Sequence, residues 1–309
     1  MAPFNNDKYK HLQIRSILNK IQEFDHLYIE IGGKFIDDNH AARVLPGFDP
    51  NVKLSIFKEL INDISIILCI SAKDIINSRM RSDYNITYAE DILNTVDILR
   101  NNKFNIDGIF INLYENNESI QLFEHQCFLK NINIYKTYKI DDYPNNVDLI
   151  LSDAGFGKND YIKTSNKITL ILAPGAGSGK LNICLNQLYH DHLNGISSGY
   201  VKYETFPVWN LPLDHPVNKA YEAATLNIKD YNVIDPYYKN KTGKCAVNYN
   251  RDVDAFPILS QIFQKIYGYD LYTSPTDMGI NNIGFAIEND DEVRKAAQEE
   301  ITKRLNLTV

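Results

Sequence analysis

Apolar residues recur with two different periods along the first 195 residues. Over 7–24, Leu12, Ile17, Leu18, Ile21 and Phe24 fall at the spacing of an amphipathic helix. The run HLYIEIGG (26–33) then reads as a strand closed by a glycine turn. The pattern predicts a helix over 51–62, a buried strand SIILCIS at 65–71, a helix over 87–102 and a strand IDGIFINLY at 106–114. It continues with a helix over 118–130, a short strand INIYKTY (132–138) and the aliphatic run NVDLILSD (146–153), read as a further strand. A strand at Ile168–Leu172 leads into a helix starting near Gly179–Lys180. Strands alternating with helices make βαβ units, so the expected class is α/β with a parallel, doubly wound sheet. Such sheets gather ligands outside the carboxyl ends of their strands. The loops after Ile31, Ile70, Leu151 and Leu172 are therefore the places to search.

Beyond Gly195 the periodicity weakens. Residues 196–285 are rich in Tyr, Pro and Asn, with one clear helix near 253–266, and 290–305 reads as a charged helix with few apolar positions. This stretch is too aromatic for a disordered linker. It is expected to pack on the first half and cover its ligand face. The expected organisation is an α/β domain over 1–195 and an aromatic, Pro/Asn-rich extension over 196–309, leading into a further region outside this chain.

Composition narrows the partners. A formal net charge of −7 over 309 residues argues against general nucleic-acid or anionic-membrane binding, which need a clustered basic face. No apolar stretch approaches the roughly 18 residues that cross a bilayer. The start, MAPFNNDKYKHLQ, lacks the apolar core of a signal peptide, so the expected compartment is the cytoplasm. Cys69, Cys127, Cys184 and Cys245 lack metal-ligand spacing, and three sit in apolar surroundings as reduced core thiols would. A homo-oligomer is left open.

The segment with the strongest chemistry is LILAPGAGSGKL. Backbone N–H groups from Gly175 through Ala176, Gly177, Ser178 and Gly179 to Lys180 would curl round an anionic oxygen, since glycines tolerate positive φ. The following helix adds the positive end of its dipole, and Lys180 adds charge. This is the logic of the Walker A loop, G-x-x-x-x-G-K-[ST]. Two positions depart from it: Pro174 stands where the first glycine belongs, and Leu181 replaces the hydroxyl that holds Mg²⁺. A plain glycine turn at a strand–helix junction accounts for the same letters.

Several long segments carry a resemblance. KFIDDNHAARVLPGF, LSDAGFGKNDYI, APGAGSGKLNICLNQLYHDH, YETFPVWNLPLDHPVNKAYEAAT, VNYNRDVDAFP and SPTDMGINNIGF together resemble the bacterial family called domain of unknown function 1846, an uncharacterised protein family. The resemblance spans nearly the whole chain. It implies a mostly cytoplasmic α/β protein with a P-loop-like segment at Gly175–Lys180, whose members are longer than this chain, and it brings no established reaction.

Other positions join the candidate list. Lys34, His40 and Arg43 follow the first strand, where Arg43 would grip phosphate and His40 would move a proton, or both would pair with Asp37 or Asp38. Asp153 would position Mg²⁺ or water with Lys158 beside it, unless SDAGFGKNDY is simply a glycine turn. In YHDH, His190 and His192 have the wrong helical spacing for a shared metal, and His192 is expected on the apolar stripe. Asp214 or His215 should cap a helix beginning at Pro216. Trp209, Phe206 and Tyr203 would stack a base or fill core. Arg251 would act as an arginine finger or leave its helix to Asp252 as cap, and Asp277 or Asn281 would meet a sugar hydroxyl. The function expected from these residues is binding of a nucleotide or other phosphorylated small molecule. ATP with Mg²⁺ and phosphoryl or nucleotidyl transfer would follow if it is an enzyme. The alternatives are a non-catalytic metabolite sensor and a metal-dependent hydrolase built on His40, Asp37 and Asp38.

Overall fold

A computed structural model describes residues 2–81, 84–164, 166–226 and 229–306. Its helices are α1 (Asn6–Ile21), α2 (Asn39–Val44), α3 (Val52–Glu59), α4 (Ala72–Ile76), α5 (Tyr88–Asn101) and α6 (Glu118–Leu129). They continue with α7 (Val147–Ile150), α8 (Lys180–Leu193), α9 (Pro216–Ala224), α10 (Pro236–Thr242), α11 (Asn250–Tyr267) and α12 (Asp290–Asn306). The strands are β1 (His26–Ile31), β2 (Ile64–Ser71), β3 (Met80–Arg81), β4 (Ile86–Thr87), β5 (Asn105–Asn112) and β6 (Ile134–Lys136). They are followed by β7 (Ile168–Leu172), β8 (Ser198–Tyr203), β9 (Asn232–Ile234), β10 (Val247–Tyr249) and β11 (Gly279–Ile280).

The central sheet has seven parallel strands in the order β11-β8-β1-β7-β2-β5-β6, flanked by helices, so the α/β expectation holds. Every residue of β1, β2 and β7 is buried. That is why they read as largely apolar runs, with His26, Glu30, Ser65, Ser71 and Thr169 as the polar exceptions: a parallel sheet covered on both faces has no polar side to alternate with. Register follows Leu27↔Ile168 between β1 and β7, and Ile64↔Ile168 between β7 and β2. From β2 the chain steps outward to β5 and β6, returns to place β7 beside β1, and then adds β8 on the far side. The carboxyl ends of β1 and β7 thus lie at a reversal of strand order, where open α/β sheets leave a crevice.

Contacts divide the chain into two compact units that interleave in sequence: 1–19, 32–59 and 202–309 form one, and 20–31 with 60–201 form the other. The boundary passes through β8. In the first unit, α12 packs on α2 and α9, and buries only Val293, Ala297 and Glu300. Local signals explain the helices that periodicity missed there. His215 accepts from the N–H of Val217 and Asp235 from those of Tyr237 and Tyr238, each followed by a proline at the first helical position. The β9–β10 pair is antiparallel. In the second unit, Thr87 and Glu90 form a capping box for α5, and Asn117 caps α6.

Two local expectations are corrected. NVDLILSD is not a strand: Asn146 caps a short helical turn, α7, and the chain then bends through a glycine turn. Four residues with a cap at their head close a turn more readily than they pair with a sheet. His192 is exposed, and its neighbour Asp191 is buried instead, where it accepts from the hydroxyls of Tyr28 at 2.9 Å and Tyr161 at 2.5 Å. Two phenol donors make that carboxylate tolerable inside, which apolar periodicity has no means of registering. Cys69, Cys127 and Cys184 are buried free thiols and Cys245 is exposed. No helix among the described residues is long and apolar enough to cross a membrane.

Candidate functional site

The loop after β7 lies entirely in the second unit and is held from both ends. Arg79 donates to the Ala176 carbonyl and to Asp74, each at 3.2 Å, and its guanidinium lies 4.5 Å above the Tyr88 ring. Tyr88 presses on Gly175 so closely that a Cβ there would stand 2.3 Å from its hydroxyl. Gly177 and Gly179 both have positive φ, +82° and +99°. A Cβ on Gly179 would stand 2.3 Å from the Asn112 amide nitrogen. Glycine at this position therefore answers a backbone requirement and a close approach together.

Helix α8 starts directly behind Gly179 with no side-chain cap. Among the described residues, no protein group accepts from the backbone N–H groups of Gly175 through Asn182. Ser178, between the two left-handed glycines, is 1% exposed, and its hydroxyl has no hydrogen-bond partner among the described residues. An open helix start and a bent glycine loop leave backbone donors together, and the unpaired Ser178 hydroxyl belongs to the same loop.

A cleft of about 470 Å³ opens beside this loop, lined by Gly177, Gly179, Lys180, Leu181 and Asn182 on one side. Glu30 from β1, Asn112 and Leu113 from the end of β5, and Tyr138, Lys139, Ile140 and Tyr143 after β6 complete it. The Lys180 ammonium lies 4.0 Å from Glu30 Oε1, and the Tyr200 hydroxyl donates to Glu30 Oε2 at 2.7 Å. Asn112 accepts through its carbonyl from Thr137 Oγ1 and Asn182 Nδ2, both at 2.8 Å. Beneath, burial pushes the Cys69 thiol up to about 12 and raises that of Cys184, so both stay protonated. The cleft thus carries two lysines, a buried carboxylate, two amides and two tyrosines at the carboxyl ends of β1, β5, β6 and β7.

Of the residues singled out in the sequence, Gly177, Gly179 and Lys180 line this cleft, and Gly175, Ala176 and Ser178 belong to the same loop. Asp153 does not join them. It is exposed, in the turn after α7, where it raises the Tyr189 phenol as the second influence after burial. Tyr189 is nine residues along α8 from Lys180, roughly 13 Å at the helical rise. Lys158 donates to the carbonyl of Lys139 at 2.7 Å, and His190 Nε2 meets the Phe156 carbonyl at 3.0 Å. The residues missed are Glu30, Asn112, Asn182, Tyr138 and Tyr143. Glu30 had a legible signal, as the single charged residue inside the apolar strand HLYIEI.

The remaining candidates lie in the first unit, most of them engaged within it. Arg43 forks onto Glu300 at 2.9 and 3.1 Å, and His40 sits 3.4 Å from the same carboxylate with its ring against Phe206. Burial lowers the His40 pKa, which keeps the ring neutral. Asp38 pairs with Lys53 at 3.0 Å and Asp37 accepts from Asn51, so His40, Asp37 and Asp38 do not converge. Among the described residues no three His, Cys, Asp or Glu side chains gather as a metal cage. Arg251 reaches Asp230 at 2.5 Å, and Asp252 pairs with Lys202 instead of capping. Asp277 holds its own turn through Thr273, and the Asn281 amide is spent on the Pro207 carbonyl at 2.7 Å. Phe206 stacks on Tyr221, while Tyr203 meets Tyr9 hydroxyl to hydroxyl at 2.9 Å.

Glu300 is the hub of the α12 contacts. Burial opposes its ionisation, but the guanidiniums of Arg43 and Arg304 carry its carboxyl down to about 2. A depressed carboxyl stabilises the fold above its unfolded pKa and loses that contribution as pH falls toward the folded value. Glu300→Gln should cost about 2 kcal/mol at pH 7, between the values typical of exposed and buried pairs. The deficit should shrink as pH falls from about 4.5 to about 2, which denaturant titrations across that range will read.

The profile described as "Domain of unknown function DUF1846, N-terminal" matches residues 2–308. Curated relatives include the UPF0371 protein FN1121 of Fusobacterium nucleatum, 47% identical over 302 residues, covering 97% of this chain and 60% of that protein. UPF0371 proteins of Streptococcus equi subsp. zooepidemicus and Streptococcus sanguinis are each 46% identical over 307 residues, covering 99% of this chain and 62% of theirs. The chain spans about three fifths of the length of the relatives it matches. On a match that runs through both units, and at this identity, the chain belongs to the DUF1846 (UPF0371) family.

Proposed function

We propose that this chain binds a phosphorylated small molecule, nucleotides included, in the cleft at the carboxyl ends of β1, β5 and β6. In this reading the loop 175–180 and the first turn of α8 hold the phosphate. The observation that carries it is that, among the described residues, no protein acceptor uses the backbone N–H groups of 175–182 and the buried Ser178 hydroxyl in that loop has no partner. A buried donor left unpaired costs about 1–3 kcal/mol, which a phosphate oxygen accepting from it would offset. The N-terminus of a 14-residue helix and the Lys180 ammonium add positive potential at the same place.

Binding is favoured over turnover by two residues. Leu181 has no hydroxyl to give a metal in the Walker manner, and Asp153 lies beside the far half of α8. An ATP–Mg²⁺ step would have to use Glu30, the carboxylate already beside Lys180. Isothermal titration with inorganic phosphate, AMP and ATP is the test. Wild type should bind at least one of them, and Lys180→Ala should weaken it about 10- to 100-fold, the worth of a charge-assisted hydrogen bond. Equal affinity in the folded variant, or silence from wild type with all three, sinks the reading.

A further inference from the structure

The cleft holds a carboxylate where a site for phosphate alone would not want one. Glu30 is 7% exposed, lines the cleft, and spends Oε2 on Tyr200. Its Oε1 faces Lys180 at 4.0 Å, beyond hydrogen-bond length. A phosphate brought to the same ammonium would feel that carboxylate through a poorly screened interior, where like charges a few ångströms apart repel strongly. The cleft is also far larger than orthophosphate, and Leu113, Tyr138, Lys139, Ile140 and Tyr143 line it as well. An acceptor at one point and an anion cradle at another, with Lys180 between, match a ligand that carries both a phosphate and a donor a few bonds away.

We propose that the ligand is a phosphate ester of a polyol, one of whose hydroxyls donates to Glu30 Oε1 while its phosphate lies on the 175–180 loop. This rests on the phosphate reading above and assigns Glu30 as the residue that selects the ester. The Tyr200 hydroxyl fixes the carboxylate's orientation by taking Oε2, which leaves Oε1, on the Lys180 side, as the acceptor for the ligand. Lys180 then bridges carboxylate and phosphate, its ammonium offsetting part of the charge of each. A free sugar phosphate and the ribose phosphate of a nucleotide share this chemistry.

Four probes separate the possibilities by calorimetry: inorganic phosphate, ethyl phosphate, ribose 5-phosphate and AMP. Wild type should bind ribose 5-phosphate about tenfold more tightly than ethyl phosphate, since only the former brings a hydroxyl to a charged acceptor. Glu30→Gln keeps the shape and an acceptor but removes the charge. It should cut that preference to about twofold, while ethyl phosphate binds equally or more tightly because the repulsion is gone. AMP tighter than ribose 5-phosphate would point to a nucleotide, and the reverse order to a sugar phosphate; both support the assignment. A preference that survives in Glu30→Gln, or ethyl phosphate matching ribose 5-phosphate in wild type, overturns it. Wild type ignoring all four probes overturns the phosphate reading first, and this one with it.

Discussion

Lys53→Met is expected to destabilise the first unit by about 4 kcal/mol, the scale of a buried ion pair with one partner removed. Lys53 is wholly buried, and its three ammonium protons have three acceptors: the Lys34 carbonyl at 2.7 Å, Asp38 Oδ2 at 3.0 Å and the Gly32 carbonyl at 3.2 Å. Methionine reproduces the stem and leaves a carboxylate and two carbonyls facing apolar protein. The loop from Gly32 to Asp38 is otherwise an unlikely structure, with positive φ at Gly33 and at Asp37. The single tryptophan, Trp209, belongs to this unit, so its fluorescence during urea unfolding reports the loss directly. Adding Asp38→Asn should restore part of it, because the amide keeps the helix cap on Ala41 and removes the unpaired charge. A loss under 1 kcal/mol would mean that the clamp is not what holds this loop.

Gly179→Ala should abolish ligand binding and cost about 2–4 kcal/mol in the second unit. Part of the cost is backbone: φ of +99° is uncomfortable for any residue with a Cβ. The rest is steric, since the new methyl would stand 2.3 Å from the Asn112 amide, and Asn112 is pinned through Thr137 and Asn182. Either the loop or Asn112 must move, and both line the cleft. Calorimetry with the best-binding probe and a denaturant curve read together decide it. A variant that binds like wild type would show that the loop's path does not matter to the site.

The glycine loop after β7 was recognisable because its evidence is local. A strand, three glycines, a lysine and a helix within twelve residues need no knowledge of distant contacts. Its neighbours were hidden for the opposite reason. Asn112 ends β5 and Asn182 lies in α8, 70 positions apart, and nothing in either segment says that one amide answers the other. Arg43 and Arg251 looked like phosphate ligands because basic residues near glycines often are. Each has a carboxylate far along the chain instead, Arg43 from Glu300 and Arg251 from Asp230. A charged residue's partner is a matter of approach in space, and sequence neighbours such as Asp37 and Asp38 were poor guides to it.

The central strands announced themselves, because a stretch buried on both faces is mostly apolar, and that requirement is written along β1, β2 and β7 with few polar exceptions such as Glu30. The class of fold and the position of the glycine loop followed from it. The order of the strands did not, since hydrophobic periodicity records burial and is blind to which neighbour supplies it. That order brings the ends of β1 and β5 to the loop after β7, and with them Glu30 and Asn112. Side chains 150 residues apart became one surface through packing geometry, a long-range property that no short window of the chain encodes.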